Sequence, residues 1–235
     1  MSYIVKYEDI GLKDYKETWD YQEKIFQKLV DNKKRDSAFR SGSLTKDHGT
    51  LIFVEHPHVY TLGKSGSENN LLLDYIQLQV KEAKFYRIDR GGDITYHGPG
   101  QLVGYPIFDL EAVKVSLKDY IHLLEESVIQ TVSGYKLTGG RLAGATGVWL
   151  DPDKESGARK ICAIGVKASR YITMHGFAFN VNTNLDYFNH INPCGFTDKG
   201  VTSLEKELGR KQDFEKVKTE LKENLRKVFD LEWIN

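Results

Sequence analysis

Three β-rich runs lie close together in the second half of the chain, at residues 146–150, 160–167 and 173–181. A polar turn at 151–157 joins the first two, and the next connection is shorter still. Parallel neighbours in one sheet need a long crossover connection, so these short links favour antiparallel pairing. The pattern predicts an α+β fold in which helices flank a mixed, largely antiparallel sheet.

Two more pairs of β-rich runs come earlier in the chain. Residues 51–55 and 59–62 are separated by His-Pro-His, and we expect these two runs to pair with each other. Residues 85–88 and 102–109 flank a glycine-rich stretch, whereas 139–144 are predicted to form a loop.

Apolar residues at helical spacing predict three amphipathic helices. One covers residues 12–32, one begins at the capping pair Ser116 and Asp119, and the last carries an apolar face made of Phe214, Val217, Leu221, Leu225 and Val228. Thr202 and Glu205 predict a capping box for a further short helix. We expect one catalytic domain over residues 1–235, with a small C-terminal subdomain as the alternative.

Bulk composition excludes several classes of protein. Lys+Arg and Asp+Glu both number 33, so no global field directs the chain to nucleic acid or to a membrane surface. We find no secretory signal and no apolar run long enough to span a bilayer. Two cysteines without C-x-x-C spacing suit a reducing compartment, and the cytoplasm is the predicted location. Neither a cofactor nor a metal site is predicted.

The glycine-rich stretch RGGDITYHGPGQLV at 90–103 is the strongest candidate for a binding site. Its glycines allow the backbone to approach a ligand closely, while Arg90, Tyr96, His97 and Gln101 add polar groups that a plain turn does not require. The alternative is a bulged hairpin. Phosphate-loop and dinucleotide-binding motifs are absent from the chain.

The two cysteines lie in different settings. Cys162 lies in an apolar β-type run and is expected to be a small buried residue. Cys194 lies in a Pro-Cys-Gly turn that favours exposure of its thiol. A nucleophilic cysteine needs a base or a positive neighbour, and the sequence leaves Lys160, Lys167, His97 and His175 open for that role.

Small residues alternate with larger ones in two of the predicted strands. Gly176 and Ala178 share one strand face, and Ala163 and Gly165 alternate with apolar neighbours. This pattern is typical either of a shallow trough for an extended apolar chain or of close packing by a helix.

Four motifs in this chain resemble those of the lipoyl(octanoyl) transferase family. They are EHPHVYTLGKSG, RGGDITYHGPGQLVGYPIFDL, ARKICAIGVKASRYITMHGFAFNVN and INPCGFTDKGVTSL, in that order. The sequence departs from the usual pattern at His58, at Lys167 and in the longer turn at 151–157. The resemblance implies the fold of biotin and lipoate protein ligases.

The resemblance also implies an activity and a set of residues. The family transfers an octanoyl group from octanoyl-acyl carrier protein to a lysine of lipoyl domains, in 2-oxoacid dehydrogenase complexes and in glycine-cleavage H protein. The catalytic residues that the resemblance implies are Cys194 as nucleophile and Lys160 as its partner. As a separate hypothesis, backbone N–H groups near the glycine-rich loop, and His97, are candidates to stabilise the oxyanion. The substrate-contacting stretches of the family fall on Arg90, Gly91, Gly92, Asp93, Ile94, Thr95, Tyr96, His97, Ala163, Ile164, Gly165, Gly176, Phe177 and Ala178.

Three alternatives to this activity remain open at the level of sequence. They are an ATP-dependent lipoate or biotin ligase, an amidotransferase that moves octanoyl between lipoyl-bearing proteins, and an acyl-binding module without catalysis.

Overall fold

The computed structural model describes residues 2–39, 48–154, 157–192 and 199–234. Its strands are Tyr3–Leu12 (β1), Gly49–Glu55 (β2), Val59–Leu62 (β3), Lys84–Arg87 (β4), Ile94–His97 (β5), Gln101–Phe108 (β6), Gly139–Leu142 (β7), Ala145–Leu150 (β8), Arg159–Ser169 (β9), Ile172–Asn180 (β10), Gly200–Val201 (β11) and Leu231–Ile234 (β12). Its α-helices are Tyr15–Phe39 (α1), Tyr75–Val80 (α2), Leu117–Gly134 (α3), Leu204–Leu208 (α4) and Phe214–Phe229 (α5). Two 3-10 helices cover Glu68–Asn70 and Leu185–His190.

Within the described ranges, one mixed sheet of nine strands forms the centre of the protein. Its order is β12-β1-β2-β6-β10-β9-β8-β7, and β11 pairs with β9 beyond the end of β10. In this sheet the pairs β2–β6, β6–β10, β10–β9, β9–β8 and β8–β7 are antiparallel. The pairs β12–β1, β1–β2 and β9–β11 are parallel. The predicted mixed, largely antiparallel sheet is confirmed.

A second sheet, in the order β4-β3-β5, carries the glycine-rich stretch. The predicted pairing of residues 51–55 with 59–62 is therefore wrong, because β2 pairs with β1 and β6 whereas β3 pairs with β4 and β5. His56 lies between the two strands and is fully buried, with Nδ1 donating to Lys13 O at 2.8 Å and Nε2 accepting from Tyr105 Oη at 2.8 Å. These bonds hold the point where the chain leaves one sheet for the other.

Helices cover both faces of the main sheet. The apolar sides of α3 and α5 pack on one face, around Leu124, Val128 and Leu221. On the other face, Phe26, Leu29 and other residues of α1 pack against β2, β6 and β10. Each contact buries an apolar stripe at helical spacing, which is the feature that predicted these helices.

Local signals located most helix starts, with one correction. Ser116 Oγ accepts from Asp119 N at 3.1 Å, as predicted. The short helix α4, however, is capped by Ser203, whose Oγ accepts from Lys206 N at 3.2 Å, and not by Thr202. Thr202 is fully buried, and its hydroxyl donates to the carboxylate of Glu207 in α4.

Several elements escaped prediction. β1 and β12 lie at one edge of the sheet, β5 lies inside the glycine-rich stretch, and β7 occupies part of the segment predicted as loop. Glycine-rich and charged strands carry little period-two signal, and they form here because neighbouring strands supply hydrogen-bond partners.

Candidate active site

The glycine-rich loop between β4 and β5 is held against two separate strands. Arg90 is buried, and its Nη2 donates to Thr61 O at 2.8 Å and to Thr61 Oγ1 at 3.0 Å. Gly91 N donates to Val166 O of β9 at 2.9 Å. Gly92 has a φ of +86°, a conformation that favours glycine. The loop therefore bridges the small sheet and the main sheet.

The two other predicted stretches face each other across adjacent strands. Gly176, Phe177 and Ala178 of β10 are the register partners of Gly165, Ile164 and Ala163 of β9. Ten residues, 166–175, lie between these triplets in the sequence, and the β9–β10 hairpin brings the triplets side by side.

The glycines in these triplets make room for backbone. A Cβ on Gly176 would lie 2.1 Å from Gly104 O, and one on Gly165 would lie 2.9 Å from Gly91 O. For these two positions close packing is the better interpretation, although the packing partner is neighbouring backbone and not a helix. All four residues, Ala163, Gly165, Gly176 and Ala178, also line a cavity.

That cavity has a volume of about 870 Å³, within the range of small-molecule sites. Thirteen of the fourteen predicted substrate-contacting residues line it, and the exception is Tyr96. Tyr96 is fully buried among aromatic rings, where it stacks on Tyr187 at 4.8 Å and hydrogen-bonds His58 Nδ1 at 2.7 Å. The position of Tyr96 indicates a role in packing the small sheet.

Lys160 also lines the cavity, near its β8 and β11 end. Its Cα pairs with Trp149 of β8 and with Val201 of β11, and its Nζ lies 4.7 Å from the centroid of the Trp149 ring. Cys194 lies outside the described residues. Asn192 and Lys199, the described residues on either side of it, both line the cavity.

Cys162 is fully buried in the main core, as predicted. Burial raises the pKa of its thiol well above the ordinary value. A protonated thiol without access to solvent is a poor nucleophile, so Cys162 acts as a packing residue.

A chain of hydrogen bonds between buried residues runs along the cavity wall from β5 to Thr202, the residue after β11. His97 Nδ1 lies 2.8 Å from Gln101 Oε1, Gln101 Nε2 donates to Asn180 Oδ1 at 2.9 Å, and Asn180 Nδ2 donates to Thr202 O at 3.0 Å. Thr202 N then donates to Lys160 O at 2.9 Å. The chain ties the glycine-rich stretch to the strand that carries Lys160.

This chain fixes the state of His97. Because Gln101 offers an oxygen, His97 must donate from Nδ1, and its Nε2 accepts from Thr61 Oγ1 at 3.4 Å. Burial lowers the pKa of His97 to about 3, so the ring is neutral. No N–H of this ring remains for an oxyanion, so the geometry argues against the role considered for His97.

His175 also lines the cavity, whereas Lys167 does not. His175 pairs with Val166, six residues along β9 from Lys160, which corresponds to about 20 Å. Its Nε2 contacts Asp89 Oδ1 at 2.9 Å, and Lys167 Nζ pairs with Asp89 Oδ2 at 2.6 Å. His175 also adopts a φ of +61°, a strained conformation for a non-glycine residue. Of the four candidate partners for a nucleophile, only Lys160 pairs with β11, the described strand that follows Cys194 in the chain.

Sequence reasoning missed the roles of three residues at the cavity. Trp149 and Tyr15 line it, and Asn180 links its floor to β11. Trp149 and Tyr15 lie outside the four family motifs, and Asn180 lies within the third motif, which does not single it out. Each of the three acquires its position from strand register or from helix docking. Among the described residues, no helix is long and apolar enough to cross a membrane.

Comparisons with known proteins agree on one family. Residues 14–226 match the family of the lipoyl protein ligase A/B catalytic domain. The chain is 53% identical to the octanoyltransferase of Parabacteroides distasonis, over 95% of this chain and 98% of that protein. It is also 53% identical to the octanoyltransferase of Flavobacterium johnsoniae, over 99% of each.

Solved structures agree with the fold. A bipartite lipoate protein ligase from Thermoplasma acidophilum superposes with a TM-score of 0.70 at 12% identity, covering 98% of this chain and 85% of that one. A lipoate-protein ligase A bound with ATP gives 0.66 at 13% identity, covering 100% of this chain and 90% of that one. At such identities the likeness shows a shared fold and nothing about the reaction.

Proposed function

The chain belongs to the octanoyltransferases of the lipoyl protein ligase A/B catalytic-domain family, and is thus an acyltransferase; we propose that it works through a thioester on Cys194. The donor is octanoyl-acyl carrier protein, and the acceptor is a lysine of lipoyl-domain proteins. Lys160 is the partner of the thiol. The reaction is the first step in making protein-bound lipoate.

The path of the chain around Lys160 is the observation that carries this proposal. Asn192 and Lys199 line the same cavity as Lys160, and Val201 is the register partner of Lys160 in β11. Cys194 is two residues from Asn192, and a chain spans at most about 3.6 Å per residue. This short connection to a residue of the cavity wall supports the proposal that the Cys194 thiol reaches the cavity.

A lysine next to this thiol accounts for both half-reactions with balanced protons. The thiolate of Cys194 attacks the carrier thioester, the bond from the carbonyl carbon to the carrier sulfur breaks, and the Lys160 ammonium gives its proton to the departing thiolate. The acceptor amine then attacks the octanoyl-enzyme, and the neutral Lys160 amine takes up the proton that the new amide loses. Cleavage of the bond between the octanoyl carbonyl carbon and the Cys194 sulfur restores the Cys194 thiolate, and the proton taken up restores the Lys160 ammonium.

The cavity suits a medium-length acyl chain with a polar end. Val103, Ile164, Phe177 and Ala178 give it apolar walls, whereas Lys160 and Lys199 lie at one end. An octanoyl chain lying along β9 and β10 would keep its carbonyl near Lys160. The lipoyl domain as acceptor also agrees with the archaeal lipoylation system that shares the fold and includes an E2 lipoyl domain.

Intact-protein mass spectrometry after mixing with octanoyl-acyl carrier protein tests the proposal. We expect the wild type to gain one octanoyl group, the Cys194→Ser variant to gain none, and the Cys162→Ser variant to behave as wild type. Adding a lipoyl domain should transfer the mass to that domain. A stable acyl adduct on Cys194→Ser, or an adduct mapped to Cys162, would refute the assignment.

The same assay separates the other activities that share the fold. A ligase would modify the lipoyl domain from free octanoate and Mg-ATP, whereas the proposed transferase would not. An amidotransferase would prefer an octanoylated lipoyl-domain protein as donor over the carrier protein. An acyl-binding module would show no turnover with any donor.

A further inference from the structure

The side chain of Lys160 lies against the face of a buried indole. Its Nζ is 4.7 Å from the centroid of the Trp149 ring, within the range of a cation–π contact. Trp149 is 2% exposed, and both residues line the cavity. The strand register explains the contact, because Trp149 and Lys160 are partners in the antiparallel β8–β9 pair.

The indole cannot easily turn away. Trp149 Nε1 donates to Ala145 O at 2.9 Å, which ties the ring to the start of its own strand. Ala145, Ala158 and Leu142 pack around it in a small apolar cluster. The ring is therefore a fixed surface, whereas a lysine side chain has four flexible carbon–carbon bonds.

A second set of contacts fixes the backbone beneath the pair. The register of β8 and β9 shifts between Val148 and Trp149. Gly147, next to this irregularity, has a φ of +120°, and its N–H donates to Glu125 Oε1 at 3.0 Å. Glu125 is buried and its other oxygen accepts from Arg141 Nε at 2.9 Å. A Cβ on Gly147 would lie 2.4 Å from Cys162 O, so a side chain at this position would displace the backbone of β9.

We propose that Trp149 is a positioning residue, which holds the Lys160 ammonium at the end of the cavity next to β11. The inference rests on the proposed function and adds a residue to it. Lys199 and Lys206 line the same cavity and repel an ammonium, whereas the face of the Trp149 ring attracts it.

A fixed ammonium keeps the neighbouring thiol ionised. Cations beside a cysteine lower the thiol pKa from about 8.5 into the range of about 3.5–7.5. Without the ring, Lys160 would spend part of its time elsewhere, and the thiolate fraction near neutral pH would fall. A cation–π contact of about 0.5–2 kcal/mol corresponds to a change of about 2- to 30-fold.

The test is the rate at which iodoacetamide alkylates Cys194 in the full-length protein, followed by peptide mass over a range of pH. We expect Trp149→Leu to slow alkylation near neutral pH by about 2- to 30-fold, and Trp149→Phe, which keeps an aromatic face, to restore most of the rate. Trp149→Met is the second variant without an aromatic face, in case Trp149→Leu does not fold. Thermal melting identifies the folded variants.

Trp233→Leu is the matched control. Trp233 also lies near a lysine, with Lys222 Nζ 6.0 Å from its ring centroid, but on β12 at the edge of the main sheet. We expect this variant to leave the alkylation of Cys194 unchanged.

The Lys160→Met background separates positioning from general destabilisation. If Trp149 acts through Lys160, Trp149→Leu has no further effect once Lys160 is methionine. An equal slowing in both backgrounds, or a wild-type rate in folded Trp149→Leu and Trp149→Met, would overturn the inference and leave the thioester proposal intact. If Lys160→Met itself does not alter the alkylation profile, the Cys194–Lys160 pair fails, and the role of Trp149 fails with it.

Discussion

Asn180 offers a quantitative test of the polar chain along the cavity wall. Its side chain is 3% exposed and makes two hydrogen bonds, from Gln101 Nε2 at 2.9 Å and to Thr202 O at 3.0 Å. Asn180→Ala removes both and leaves Thr202 O, in the interior, without this donor. Each lost bond costs about 0.5–1.5 kcal/mol, and an unsatisfied buried carbonyl adds about 1–3 kcal/mol. Allowing for local relaxation, we expect the free energy of unfolding to fall by about 2–4 kcal/mol.

Urea denaturation measures this change through the transition midpoint, and the slope should stay constant if both states keep their compactness. Asn224→Ala is the matched control. Asn224 Nδ2 donates to Thr131 Oγ1 at 2.9 Å from the partly buried side of α5, and alanine is the better helix former at that position. We therefore expect the control to lose at most about 1 kcal/mol. Equal losses in the two variants would refute the view that the polar chain along the cavity wall is a buried network in which every member is hydrogen-bonded.

Two further predictions concern pH and backbone packing. Burial lowers the pKa of His56 from 6.5 to about 4, so between these values the unfolded chain binds a proton that the folded protein does not. The free energy of unfolding should therefore fall as the pH decreases from 6.5 to about 4. In urea denaturation, His56→Gln should reduce the slope of this free energy against pH by up to about 1.4 kcal/mol per pH unit, and an unchanged slope would contradict the assignment. Gly176→Ala should destabilise by about 1–3 kcal/mol or more, because its Cβ would meet Gly104 O at 2.1 Å. Gly134→Ala, at a helical position with open space, should instead stabilise by up to about 1 kcal/mol in the same assay, and similar effects of both substitutions would exclude the steric explanation.

Local chemistry accounts for the elements that the sequence predicted well. The α3 start follows from a serine that can cap its own helix, and α5 follows from five apolar residues on one helical face. These interactions involve residues a few positions apart, so their geometry is the same in almost any fold. The short links between β8, β9 and β10 similarly leave antiparallel pairing as the practical solution.

Errors arose where distant partners decide the outcome. β2 and β3 are separated by three residues, yet they belong to different sheets because buried His56 bonds to Lys13 and Tyr105. Thr202 is a residue type that often caps helices, but it is fully buried just after β11, and Ser203 caps the helix. In both cases a tertiary contact outweighs a valid local preference.

For the candidate site, the sequence determined which residue types are present and, through the family motifs, which stretches matter. It did not determine that Tyr96 faces away from the cavity, that His97 has no spare N–H, or that Trp149 lies under Lys160. Those facts depend on strand register, and a shift of one residue would turn each side chain to the opposite face of its sheet. Register is set by the packing of the whole molecule, so only the tertiary structure decided how the identified residues stand toward one another.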